Sequence, residues 1–172
     1  MHRHMEHYVG PEKVRIGIVR TSTSRFRAMM RGESFVDDSS EAAMKLLREK
    51  GYEVERVALV GDEMEKIREE VTKALSSGFD VVIVIGGTGI SKRDVSVEAV
   101  RPLLEKEIEG FGEVFRMESY RKVGFSAALS RCVAGVREGR LILALPGSPD
   151  AVETALRIIR DEIPHVLYVA RM

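Results

Sequence analysis

The sequence predicts an α/β domain: a doubly wound, mostly parallel sheet with helices on both faces. Three observations predict it. Apolar, β-branched runs of strand length recur at 14–19, 54–60 and 81–85, and the last is unbroken, as fully buried parallel strands are. The stretches between them carry apolar residues at helical spacing, each closed by a glycine, Gly51 and Gly78. Crossovers of that kind join parallel strands by right-handed connections.

Size and composition agree. A chain of 172 residues is expected to bury roughly 70% of the surface its unfolded form exposes. It reads as one domain over residues 13–172, preceded by an N-terminal arm at 1–12. That arm holds His2, His4 and His7, and a polar terminus more commonly packs loosely or on a neighbouring subunit than binds metal. Basic and acidic residues number 27 each, which argues against nucleic acid as a main partner, since that would favour a basic excess. No apolar stretch approaches the ~20 residues of a membrane span, nor does the N-terminus carry a signal peptide's apolar core. One cysteine, Cys132, cannot form an internal disulfide, so a cytoplasmic protein is expected. The chain contains no Asn and no Gln, which with its many charged residues resembles a heat-adapted composition.

In chain order, Val14–Val19 supplies the first strand and Thr21-Ser22-Thr23-Ser24-Arg25 a hydroxyl-rich turn. Arg25 to Asp38 reads as an irregular loop over the sheet's end. A helix is expected over Ser39–Lys50, with Ala43, Leu46 and Leu47 inward. The second strand, Val54–Val60, ends in Gly61-Asp62, and Met64, Ile67, Val71, Ala74 and Leu75 mark the next helix on one face. After the central strand, Asp94 or Ser96 can cap a helix holding Ala99, Val100, Leu103 and Leu104, bent at Pro102. Gly110-Phe111-Gly112 breaks the pattern, and Ser126–Arg131 suggests a short helix. Cys132–Val136 and Leu141–Leu145 pair as strands around 137–140. Ser148 and Pro149 then open a helix through Val152, Ala155, Leu156 and Ile159, so its free N–H groups face the sheet's edge. Pro164-His165 ends that helix ahead of a short apolar tail.

The chemistry concentrates at Gly86-Gly87-Thr88-Gly89, where the central strand stops, and at Lys92, Arg93 and Asp94 just beyond. Glycines let backbone N–H groups approach anionic oxygens, cations offset their charge, and a carboxylate can hold a metal. The spacing is neither a P-loop nor a dinucleotide fingerprint. Ligands of doubly wound sheets sit outside the carboxyl ends of the strands. The Thr21 loop, Asp62 and the Gly86 loop therefore share one edge, where Asp62 and Asp94 could hold Mg²⁺ against nucleotide phosphates. The same residues also admit plainer roles: a tight turn at 86–89, and helix caps at Asp62 and Asp94. Ser126, Ser130 and Cys132 are nucleophiles in principle, without a histidine nearby in sequence to activate them.

The segment 80–94, with its GGTG-x-x-x-RD core, resembles the MoaB/Mog family of molybdenum-cofactor biosynthesis, and its MoaB branch more closely. Val95–Ala99, Gly110-Phe111-Gly112-Glu113, Leu129-Ser130-Arg131, Leu145-Pro146-Gly147-Ser148 and Pro164-His165 extend the resemblance over nearly the whole chain. It implies a three-layer domain, forming homotrimers or dimers of trimers. It further implies transfer of AMP from Mg·ATP to the phosphate of molybdopterin, with the product passed to a metal-insertion protein. On the same basis Asp62 and Asp94 would be catalytic and Mg-binding. Gly86, Gly87, Thr88, Gly89, Lys92, Arg93 and Ser22 would face phosphate or pterin, with Pro146, Gly147 and Ser148 forming a second ligand-facing turn.

Departures from the family pattern fall on the pterin side. Ser22-Thr23-Ser24-Arg25 lacks the acid of the usual Ser-Asp-x-Arg. Ser40 replaces the glycine of D-x-S-G in Asp37-Asp38-Ser39-Ser40, and Val97 stands where a proline is common. A non-catalytic molybdopterin-binding paralogue is the alternative expectation. A CinA-type pyrophosphatase or deamidase domain fits less well, since Thr88-Gly89-Ile90 replaces its Leu-Gly-Pro and its long C-terminal extension is absent.

Overall fold

A computed structural model describes residues 13–172; the expectations for the histidine-bearing arm fall outside those residues. Six strands form one sheet in the order β2-β1-β3-β6-β5-β4. β1 (Arg15–Thr21), β2 (Glu53–Val60), β3 (Val81–Ile85) and β6 (Arg140–Leu145) are mutually parallel. β5 (Val133–Arg137) runs against β6 as a hairpin, and the two-residue β4 (Lys106–Glu107) runs against β5.

Every residue of β3 is buried, and alternation divides the strand between two cores. Val81, Ile83 and Ile85 meet α2 (Asp38–Arg48), α5 (Glu109–Val123), α6 (Pro149–Ile159) and α7 (Ile163–Arg171) on one face. Val82 and Val84 meet α3 (Met64–Ser76) and α4 (Ser96–Val100) on the other. The doubly wound, mostly parallel sheet is thus as expected. No helix among the described residues is long and apolar enough to cross a membrane.

The register brings the four parallel strands to a common finish. Thr21 lies opposite Val60, Arg20 opposite Ile85, and Ile85 opposite Leu145. From β1 the chain passes outward to β2, then crosses back to β3 on β1's other side. The reversal opens a crevice between the loops that follow β1 and β3, where ligands of such sheets bind.

Several local expectations are corrected. Residues 23–30 are helical, forming α1 (Thr23–Met30), where a turn and loop were expected. This helix buries none of its residues, although Phe26, Met29 and Met30 share one side of it; the Ser22 hydroxyl starts it by accepting from Arg25 N–H. Gly110 and Gly112 do not break a helix but lie in the first turn of α5, where N–H groups have no intrahelical partner to lose. Phe111 and Phe115, one turn apart, bury that face. Pro164 does not end α6, which stops at Ile159, but occupies the opening turn of α7, a position that suits its missing N–H. The short helix near 126–131 is a 3₁₀ turn at Gly124–Leu129, and Pro102 lies in another at Arg101–Leu103.

Candidate functional site

The rim is built from three turns: 21–23 after β1, 86–89 after β3 and 146–148 after β6. Gly86 continues the ladder by donating to Leu145 O at 2.9 Å. Its φ is +106°, and a Cβ there would stand 2.5 Å from Thr21 O and 2.4 Å from Arg20 Nη1, so only glycine fits. Gly147 packs on it: a Cβ at 147 would come 3.3 Å from Gly86 Cα. The second and third turns therefore meet backbone to backbone. Gly87 and Thr88 N–H find no acceptor among the described residues, leaving donors for an anion at the end of the buried strand.

The two aspartates flank this turn. A Cβ on Gly87 would lie 3.4 Å from Asp62 Oδ1, and one on Gly89 would lie 2.8 Å from Asp94 Oδ2. Asp62 does not cap the helix that follows it, because α3 begins without a side-chain cap. Its carboxylate instead accepts from Thr21 Oγ1 at 2.9 Å, Thr23 N at 3.0 Å and Thr23 Oγ1 at 2.6 Å. Position 23 thus supplies a hydroxyl donor to Asp62. Asp94 caps no helix either, and nor does Ser96; the cap position of α4 is Val95, with no side-chain cap hydrogen bond. Asp94 accepts from Ser91 N at 3.0 Å and Ser91 Oγ at 2.6 Å. Burial pushes the Asp94 carboxyl upward, but the Ser91 donors, Gly89 N–H and the Arg131 charge outweigh it and hold it below the usual range;. Ser96 is fully buried, and its hydroxyl faces Gly87 with no hydrogen-bond partner among the described residues.

Lys92 and Arg93 are exposed, and neither side chain pairs with a carboxylate among the described residues. Lys92 and Asp94 line an open hollow of about 400 Å³ together with Ile90, Ser91, Glu98 and Arg131. Asp62 stands outside that hollow, on the Gly87 side of the turn. Ser22 is occupied as the cap of α1, and the Ser148 hydroxyl caps α6 by accepting from Ala151 N–H.

Sequence reading passed over the residues that brace the rim. Arg131, quoted only within a motif, donates through Nε to Thr88 O at 3.2 Å and Gly89 O at 3.1 Å, and pairs in two-pronged fashion with Glu98. Arg20 is buried behind the glycines and pairs with Asp37 at 2.9 Å; Arg56 reaches the other oxygen of Asp37 at 2.9 Å. The signal for Arg20 was its place in the row Ile16, Ile18, Arg20, which period two puts on one buried face. Cys132, by contrast, has its thiol pushed up to about 11 by burial, so it is protonated at neutral pH and a poor nucleophile.

All ligand-facing candidates are oxygen, nitrogen or backbone groups. Among the described residues no three His, Cys, Asp or Glu side chains gather into a metal cluster. Asp62 beside Gly87 and Asp94 beside Gly89 are each oxygen donors of the kind Mg²⁺ accepts, since it takes one or two carboxylates and completes its shell with water and phosphate, but they stand at different ends of the turn and only Asp94 lines the hollow;.

Comparison with known proteins places this chain in a family. A "Probable molybdopterin binding domain" model matches residues 17–165. A "Probable molybdopterin adenylyltransferase" of Methanocaldococcus jannaschii is 39% identical over 158 residues, 91% of this chain and 93% of that protein. "Molybdenum cofactor biosynthesis protein B" of Staphylococcus carnosus is 46% identical over 136 residues, 77% of this chain and 80% of its own. The crystal structure of the tungsten cofactor synthesizing protein MoaB from Pyrococcus furiosus superposes with a TM-score of 0.80 at 36% identity, over 94% of this chain and 99% of that one. With its glycine turn at the switch point of a doubly wound sheet, this chain belongs to the molybdopterin-binding domain family.

Proposed function

We propose that the chain is a molybdopterin adenylyltransferase. The observation that carries the reading is the 86–89 turn, with free N–H groups at Gly87 and Thr88 and a carboxylate at either end. A pterin phosphate oxygen attacks the α-phosphorus of ATP, the new P–O bond forms in line with the breaking one, and pyrophosphate leaves. Gly87 and Thr88 N–H bind phosphate oxygens, and the unpaired Lys92 and Arg93 offset charge that grows on the transferring group. Asp62 and Asp94 would hold Mg²⁺, which would supply further neutralisation of the triphosphate. Pro146, Gly147 and Ser148 form the second wall, toward the pterin. Ser22 contributes chiefly by starting α1, which orients Thr23 toward Asp62.

The proposal includes self-association as a homotrimer or dimer of trimers. Val114, Met117, Val123, Phe125 and Leu129 are exposed along α5 and the turn after it, and contiguous exposed apolar side chains mark contact surfaces. It also includes a cytoplasmic setting, which a lone buried thiol suits, and delivery of the product to a metal-insertion protein.

The test is incubation of the protein with molybdopterin and Mg·ATP, with assay for pyrophosphate and adenylylated molybdopterin. Stoichiometric appearance of both is expected. Pterin binding without ATP consumption would instead select the non-catalytic paralogue.

A further inference from the structure

Arg20 sits at the end of β1 with its side chain 4% exposed, and every prong of its guanidinium is used. Nη1 donates to Ile85 O at 2.7 Å and Thr21 O at 3.2 Å, Nη2 to Gly147 O at 3.4 Å, and Nε to Asp37 Oδ1 at 2.9 Å. One side chain thus ties the ends of β1 and β3, the turn after β6 and the start of α2. Nothing stands between it and the two glycines: a Cβ on Gly86 would meet Nη1 at 2.4 Å, and one on Gly147 would meet it at 3.5 Å.

The Gly147 carbonyl is held from a second side by Ser39 Oγ at 2.6 Å. The peptide is trans, so fixing that carbonyl inward turns the Ser148 N–H the opposite way. That N–H finds no acceptor among the described residues. The charges beneath the turns are unequal, since Arg20 and Arg56 share the single carboxylate of Asp37. Arg25 and Asp62 act on Arg20 from farther off with opposite signs. A buried cation with only half a counter-ion is costly unless an anion lies close. The open side of Gly86 and Gly147 is where one could lie.

We infer that Arg20 is a positioning residue for the transfer proposed above: it fixes the 86–89 and 146–148 turns relative to each other and sets surplus positive charge behind them for a phosphate-bearing ligand. The inference rests on that functional reading. It separates two contributions, geometry and charge, which different substitutions remove.

The experiment compares Arg20→Lys, Arg20→Met and Ser39→Ala with the wild type, using thermal unfolding, Mg·ATP binding by calorimetry, and kcat and KM for transfer to molybdopterin. Arg20→Lys keeps the charge and loses the fork, so Mg·ATP affinity should stay within about threefold while kcat falls by roughly 10- to 100-fold, as misplacement of reacting groups does. Arg20→Met should in addition weaken Mg·ATP binding by about tenfold or more. Ser39→Ala, which leaves the charges in place, should lower kcat in the direction of Arg20→Lys, and it keeps the test open if Arg20→Met does not fold. Folded Arg20→Lys and Ser39→Ala proteins with wild-type kcat would overturn the inference, even if both melt earlier. A wild type that transfers nothing from Mg·ATP would overturn the functional reading and the inference with it; active wild type with unaltered variants overturns the inference alone.

Discussion

The Asp94 carboxylate rests against Gly89 so closely that a Cβ there would come 2.8 Å from Oδ2. Gly89 has no positive φ, so alanine at 89 meets only the movable end of a side chain. Gly89→Ala should therefore leave the melting temperature near that of the wild type while displacing Asp94 and lowering adenylyl transfer. Gly86→Ala should do the reverse in order of severity. Its Cβ would press on Thr21 O, a backbone atom, at 2.5 Å with φ at +106°, and such strain costs on the order of 1–3 kcal/mol or more. Melting curves and transfer rates of the two variants, side by side, check this; equal destabilisation would contradict it.

Asp94 and Asp62 should separate in the same manner. Asp94 is held by Ser91 near the surface, so Asp94→Ala should fold normally and lose transfer by roughly 10²–10³-fold, as deletion of a group that stabilises transition-state charge does. Asp62 accepts from Thr21 and Thr23, and Asp62→Ala strands those donors, at about 1–3 kcal/mol for each one left buried without a partner. Urea melts should show the loss for Asp62→Ala alone. Near-wild-type turnover in Asp94→Ala would remove that residue from the mechanism.

Acid should destabilise the fold through particular carboxylates. Burial pushes Asp37 upward, but Ser40, Arg20 and Arg56 together hold it below its ordinary value, and Asp94 is held low in the same sense. A carboxylate depressed in the folded state contributes fully above its unfolded pKa, about 3.9. That contribution fades as pH falls through the lower folded value. The melting temperature should therefore be insensitive to these groups between about pH 5 and 8 and should drop below about pH 4. Asp37→Asn should have a lower melting temperature at pH 7 and a shallower acid decline. A wild type that gains stability on acidification would contradict the assignment.

Cys132 is buried, its thiol pushed up to about 11. An aromatic disulfide reagent at pH 8 should leave the native protein unlabelled and modify one thiol per chain only after denaturation. Rapid native labelling would show that Cys132, just ahead of β5, is not buried as described.

The strands and the glycine turn were legible in sequence because burial on both faces leaves runs such as Val81–Ile85 no polar positions, and the turn had to follow. The hairpin around Glu138 and Gly139 was legible for the same reason. Helix α1 was not, since it buries nothing and depends on one serine cap. Helix α5 was missed altogether: its sequence opens on two glycines, which read as a break but are harmless in a first turn;. At the rim, the carboxylates and glycines carry recognisable chemistry in their own identities. Arg20 does not: its meaning comes from Gly86, Gly147 and Asp37, each brought to it by a different crossover. A residue whose partners Asp37 and Gly147 lie 17 and 127 positions away in the chain leaves little local trace.

The central position of β3 has a consequence for the order in which the molecule is made. As the chain is synthesised, β1 and β2 are already present when β3 emerges, but its other neighbour, β6, comes only after α4, α5 and the β5 strand. Until then one edge of a fully apolar strand is unpaired, and Gly86 lacks the Leu145 carbonyl that anchors it. Nascent chains stalled before residue 141 should thus be sticky and unable to hold nucleotide, with binding competence arriving late and abruptly as the last parallel partner slots in.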